Sequence, residues 1–141
     1  MPREVFVDTW AWLALANRRD EKHSIAEGTN RRFLEEGYRF VTSNFVLSES
    51  YTLMRLRVHH KAAVEFGKKI RDVERLGMVV VVQVDRDIEG DAWDIFERYE
   101  DKEFSFTDCT SFVIMKRRGI DEAFTEDAHF SQAGFRIAPA E

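Results

Sequence analysis

Four acidic residues, Asp8, Glu49, Asp108 and Asp127, stand where acids are hardest to explain structurally. Asp8 ends the apolar run Val5-Phe6-Val7 and is followed at once by the apolar stretch Trp10 to Ala16. Glu49 shares a helical face with Phe45, Leu53 and Leu56, a spacing that predicts an inward-pointing acid. Asp108 opens the apolar segment Cys109 to Met115, and Asp127 follows Ala123-Phe124-Thr125. An ionised carboxylate is costly to bury alone, and no Lys or Arg occupies a comparable inward position. The natural partner of such a set is a divalent cation. With no Cys or His cluster at metal spacing, oxygen-only ligands favour Mg²⁺ or Mn²⁺ over zinc.

The energetics point the same way. Two carboxylates about 4 Å apart at an effective dielectric of about 20 repel by on the order of 4 kcal/mol, and a divalent ion between them reverses that sign. Two such ions can activate a water and stabilise the leaving oxygen of a phosphodiester. Each acid alone has a blander account. Asp108 suits the positive end of its helix, and Asp127 can cap the short helix after it. Glu49 has the weakest such account, because its neighbours on the helix are apolar.

Other residues that tempt are expected to be structural. His129, two residues after Asp127, reads as a surface helix histidine rather than a phosphate contact. His59 and His60 read as the end of a helix, where cations suit the dipole. Cys109 reads as core rather than nucleophile. Trp12 reads as core, while Trp10 remains open between core and base stacking.

The elements that must position the acids alternate between strand and helix. Val5 to Val7 reads as a strand, and Thr9 as the N-cap of a helix from Trp10 to Asn17. A helix from His23 to Glu36 closes at Gly37. Tyr38 to Thr42 forms a strand, and Ser43 or Asn44 caps a helix running to about Val58. Ala63, Phe66, Ile70 and Val73 recur at helical spacing before Gly77. Met78 to Val84 is a nearly unbroken apolar run, the pattern of a strand covered on both faces. A helix carries Ile88 to Tyr99, and Thr107 is expected to cap another from Asp108 to Arg118, ended by Gly119. A strand over Ala123 to Thr125, a short helix from Ala128 to Ala133 and a strand from Phe135 to Ala138 complete the chain. This alternation predicts an α/β fold, a three-layer α/β/α sandwich around a central, mainly parallel sheet. Ligands of such sheets bind beyond the carboxyl ends of the strands, where these acids fall.

Size and charge narrow the rest. The 141 residues, without repeat or linker, are expected to form a single domain over 1–141. No apolar run approaches the roughly 20 residues of a membrane span, and the N-terminus lacks a signal-peptide pattern. One cysteine excludes an internal disulfide and is compatible with a reducing cytoplasm. Net charge is −5, which argues mildly against non-specific attraction to nucleic acid. The charge is unevenly spread. Arg55 to Arg75 holds seven bases and three acids, whereas Asp85 to Glu103 holds nine acids and three bases. Taken singly, most of these side chains read as solvated helix faces.

In order and spacing the motifs resemble the PIN-domain family, and in size and layout its VapC-type ribonuclease toxins. The matching stretches are Val5-Phe6-Val7-Asp8-Thr9, Thr42-Ser43 followed by Glu49, Ser105-Phe106-Thr107-Asp108, and Phe124-Thr125-Glu126-Asp127-Ala128-His129-Phe130 with Gly134-Phe135 beyond. The resemblance covers Val5 to Ile137. It implies Mg²⁺- or Mn²⁺-dependent cleavage of RNA, a homodimer, and neutralisation by a small cognate antitoxin. By position it makes Asp8, Glu49, Asp108 and Asp127 the metal-binding acids, with a first metal chiefly between Asp8 and Asp108. Ser105 or Thr107 would hydrogen-bond a metal ligand or water. Trp10 and Trp12 are bulkier than the family's usual residues after the first acid.

Arg55, Arg57, Lys61, Lys68 and Lys69 are then expected to line the RNA path, unless that segment faces a dimer partner or antitoxin. Two other functions compete: a housekeeping RNA-processing nuclease, and a catalytically idle module that binds RNA or protein. A phosphatase working through an aspartyl phosphate wants a second Asp two residues after the first, where this chain has Trp10.

Overall fold

The structure, a computed structural model, describes residues 2–140. The β-branched and aromatic runs form five short strands: β1 (Glu4–Val7), β2 (Arg39–Ser43), β3 (Val79–Val82), β4 (Glu122–Phe124) and β5 (Arg136–Ala138). All pair in parallel, in the order β3-β2-β1-β4-β5. Between them lie α1 (Thr9–Ala16), α2 (His23–Glu35), α3 (Asn44–Arg57), α4 (His60–Arg75), α5 (Arg86–Arg98), α6 (Phe106–Arg118) and α7 (Ala128–Gln132). The chain moves outward from β1 through β2 to β3, then crosses back to β4 and β5 on the other side. Right-handed crossovers therefore put α1 to α4 on one face and α5 to α7 on the other. The expected three-layer sandwich is the fold observed.

That reversal of direction opens a crevice where β1 meets β4, the switch point at which open α/β sheets place their ligands. The register pairs Phe6 with Ala123 and Val7 with Phe124, so Asp8 and Thr125 emerge side by side at the carboxyl edge. The core beneath them is dense. Val5, Phe6, Val7, Val41, Ala123 and Phe124 are fully buried. Trp12 is core, as expected, and its indole N–H donates to the Thr42 hydroxyl at 3.2 Å. Cys109 is buried, and burial pushes its thiol up to about 11, which makes it inert as a nucleophile.

Local details depart from the expectations. The apolar run from Met78 to Val84 is not a strand covered on both faces. Only Val79–Val82 pairs, at the edge of the sheet, and three of those four valines are half-exposed. An edge strand is open to solvent along its unpaired side, so these valines pack against the core without being enclosed. Asp8 rather than Thr9 is the N-cap of α1, and Ser105 rather than Thr107 caps α6. In α6 the Ser105 side chain accepts from the Asp108 N–H while the Asp108 carboxylate accepts from the Ser105 N–H, a reciprocal box that fixes the helix start. Histidines 59 and 60 begin a helix instead of ending one. The His59 Nδ1 accepts the Ala62 N–H and caps α4, using a lone pair rather than a charge. At the other end of α6, Gly119 adopts a left-handed conformation (φ 69°) that closes the helix.

Candidate active site

Asp8 leaves β1 at the crevice and is only 6% exposed. Its carboxylate makes no cap bond to its own helix; Oδ2 instead accepts from the Thr125 hydroxyl at 3.0 Å. Burial pushes the Asp8 carboxyl up to about 7. The Thr9 backbone and Thr125 hydroxyl oppose this, while the Asp108 and Asp127 charges add to it. Asp108, in the first turn of α6, is also buried, and burial raises its carboxyl too. The Ser105 backbone counters the rise, and the Asp127 charge reinforces it.

Asp127 is the N-cap of α7, its Oδ1 accepting the His129 backbone N–H at 2.9 Å. Three carboxylates thus stand at the N-termini of α1, α6 and α7, close enough that the Asp127 charge raises the proton affinity of both Asp8 and Asp108. The positive helix ends soften that repulsion without cancelling it. Thr125 links two of the acids: its hydroxyl donates to Asp8 while accepting the Asp127 N–H at 3.0 Å.

Glu49 departs from the expectation. It is exposed on α3, because the Phe45–Leu53–Leu56 stripe is only partly covered: Phe45 and Leu53 are half-buried against the core, while Leu56 is 74% exposed. The acid nevertheless reaches back to the neighbour of Asp8. Thr9, the residue after Asp8, donates its hydroxyl to Glu49 Oε1 at 2.6 Å. Together with Phe45, Ser48, Thr52, Leu53 and Thr107, Glu49 lines a groove of about 380 Å³. Thr107 therefore faces that groove, and Ser105 holds Asp108.

His129 was expected on an ordinary helix surface, and it lies inside the cluster. Its Nδ1 is 2.9 Å from Asp108 Oδ2 and 3.4 Å from Asp127 Oδ1, and ligand-capable atoms of these three residues all lie within 4.8 Å of one another. The signal was present in the sequence: a histidine two residues past an N-cap acid shares the helix's first turn with it. Thr125, which carries no role in the sequence reading, also belongs to this arrangement: a hydroxyl two residues before a backbone N–H in Thr-Glu-Asp is the spacing of a side-chain-closed turn. The basic residues Arg55, Arg57, Lys61, Lys68 and Lys69 are all exposed, on the last turn of α3 and on α4. Lys61 lies near Glu65, and Lys69 borders an apolar cleft with Trp12, Leu34 and Phe66.

A buried carboxylate with an elevated affinity for protons, flanked by two more acids at the switch point of a parallel sheet, has the donor chemistry of a site for hard divalent cations. The PIN domain family profile matches residues 5–136 of the sequence. The chain belongs to the PIN-domain family. Within that family it is 40% identical over 132 residues to the 23S rRNA-specific endonuclease VapC20 of two Mycobacterium tuberculosis strains, CDC 1551 and H37Rv, covering 93% of this chain and 95% of the relative. The crystal structure of M. tuberculosis VapC20, described as a sarcin–ricin loop cleaving toxin, superposes with a TM-score of 0.80 at 39% identity over 93% of this chain and 95% of that one. This PIN domain carries all four acids that the family resemblance selects, three converging at the crevice and Glu49 on the groove beside it.

Proposed function

We propose that this PIN-domain protein is a divalent-metal-dependent endoribonuclease and the toxin of a toxin–antitoxin pair. One observation carries the reading: Asp8, Asp108 and Asp127 converge, mutually repelling, at the crevice of a chain that matches a 23S rRNA-specific endonuclease over nearly its whole length. Asp8, Asp108 and Asp127 would hold the cation, Mg²⁺ or Mn²⁺, with Glu49 beside them at the groove. When bound, the cation supplies the charge that offsets the scissile phosphate and lowers the cost of making hydroxide from water.

The chain's own residues do the rest. Thr125 aims Asp8, Ser105 fixes Asp108, and Thr9 holds Glu49 toward the site. The apolar surroundings of Asp8 keep the local dielectric low, so each charge acts strongly on the reacting phosphate. The groove between α3 and Thr107 gives a single strand somewhere to lie. Arg55, Arg57, Lys61, Lys68 and Lys69 would supply the attraction for RNA that the acidic remainder of the molecule lacks.

The wider reading follows the family: one nuclease domain over 1–141, a homodimer, a small cognate antitoxin and a cytoplasmic site of action. Among the described residues no helix is long and apolar enough to cross a membrane. The specificity of the relative makes the sarcin–ricin loop of 23S rRNA the first substrate to try. Inducible expression followed by primer extension along 23S rRNA tests the proposal. Growth arrest with one new end in that loop supports it. Arrest with cleavage elsewhere keeps the nuclease and changes its target. Intact RNA and unimpeded growth contradict it.

A further inference from the structure

We infer that His129 is a positioning residue of the metal centre, whose Nδ1–H ties Asp108 to Asp127 so that both present their remaining oxygens to one cation. The inference rests on the metal-site reading above and adds a residue outside the four acids. Asp108 Oδ2 accepts the Ser105 N–H at 3.1 Å and lies 2.9 Å from His129 Nδ1. Asp127 Oδ1 accepts the His129 backbone N–H at 2.9 Å and lies 3.4 Å from the same ring nitrogen. Ionised carboxylates only accept, so a ring nitrogen set between two of them carries the proton. The oxygens facing the ring are thus occupied by helix-start bonds and by His129. Asp108 Oδ1 and Asp127 Oδ2 accept no hydrogen bond among the described residues, which leaves their lone pairs for a cation.

The ring is itself held. It meets Phe104 edge-on with centroids 5.7 Å apart, and Phe104 packs in turn on Phe112 at 5.0 Å. His129 follows Asp127 by two residues, so backbone and ring grip one acid from the same short helix while the ring reaches the other across 21 positions. Without this tie, two like charges would turn apart until a cation gathered them, and that reorganisation would weaken binding. Partners of metal-ligating side chains typically change metal affinity by about 10–100-fold.

Mn²⁺ binding to the intact protein, followed by EPR of the free ion and by calorimetry, tests this with three variants. His129→Ala should weaken Mn²⁺ binding by about 10–100-fold. In His129→Asn the amide nitrogen falls close to the former Nδ1, and binding should largely recover. In His129→Gln the amide reaches instead toward the former Nε2, and binding should stay weak. Thermal melts in chelator should place all three near the wild type, which a merely structural role would not do. His129→Ala binding Mn²⁺ as tightly as wild type overturns the inference, and so does an Asn variant no better than Ala, since that outcome marks a direct nitrogen ligand. Wild-type protein that takes up no Mn²⁺ at millimolar concentration overturns the metal-site reading, and this inference with it.

Discussion

The hydroxyl of Thr125 donates to Oδ2 of Asp8 at 3.0 Å, joining residues 117 positions apart at the carboxyl ends of adjacent strands. The Thr125 hydroxyl oxygen in turn accepts the Asp127 N–H, so one buried hydroxyl sets the relative placement of two acids. Thr125→Val keeps the shape and removes both bonds. We expect a loss of about 1–3 kcal/mol in stability from the unsatisfied buried groups, with Thr125→Ser restoring most of it. Chemical denaturation of the three proteins checks this; a Val variant as stable as wild type would show that the hydroxyl orders nothing.

Asp8 carries a stability cost whose sign is fixed by its elevated pKa. The unfolded carboxyl titrates near 3.8, and the folded one is pushed up to about 7. Between these values the metal-free folded protein holds a proton that the unfolded chain has released, so stability falls as pH rises from about 4 to about 7 and is level beyond. A shift of about three units corresponds to on the order of 4 kcal/mol. Asp8→Asn removes the charge, so in chelator it should be more stable than wild type above pH 7, with the difference shrinking toward pH 4. Melting curves across that range settle the matter, and a variant less stable than wild type at pH 8 would contradict the buried-charge account.

If the same carboxyl holds the cation, as proposed, metal uptake depends on pH, because binding must displace the Asp8 proton below about pH 7. Apparent Mn²⁺ affinity should therefore rise roughly tenfold per pH unit up to about pH 7 and then flatten, with about one proton released on binding at the acid end. Calorimetry in buffers of different ionisation enthalpy measures that proton directly. An affinity flat from pH 5.5 to 8 would remove Asp8 from the site.

The convergence of Asp8, Asp108 and Asp127 was legible because a charge at the end of an apolar strand, or at the head of an apolar helix, has few structural excuses. The fold was legible because strand and helix periods alternate, with Gly37, Gly77 and Gly119 closing three of the helices. The failures share a cause. Glu49 reads as inward because an apolar stripe on a helix usually faces the core, yet here Phe45 and Leu53 are only half-buried at the edge of a groove and Leu56 is in solvent. Met78 to Val84 reads as covered on both faces because a sequence shows apolar content without showing that its strand lies at the edge of the sheet. His129 reads as a surface residue because the local pattern joins it only to Asp127, while Asp108, its partner across the crevice, lies 21 residues away.

An acidic protein that holds RNA needs a basic path, and the exposed bases of α3 and α4 are the candidates. Affinity of the inactive Asp8→Asn protein for single-stranded RNA should fall with salt, with a slope of about −0.7 per phosphate neutralised. Arg55→Ala or Lys61→Ala should reduce that slope by somewhat under one unit and weaken all sequences alike. If both leave the slope unchanged and alter the oligomeric state, the segment is a protein interface and the RNA runs elsewhere.

The central claim is that carboxylates and a divalent ion, rather than a histidine or cysteine nucleophile, cut RNA. Cleavage of purified RNA containing the sarcin–ricin loop, timed with Mg²⁺, Mn²⁺ or chelator, tests it most directly. Wild type and Cys109→Ala should cut at the same discrete positions only when a divalent ion is present, and Asp8→Asn and Asp108→Asn should slow the reaction at least about 100-fold. Undiminished cleavage by Asp8→Asn, or full activity of the wild type in chelator, would contradict the account.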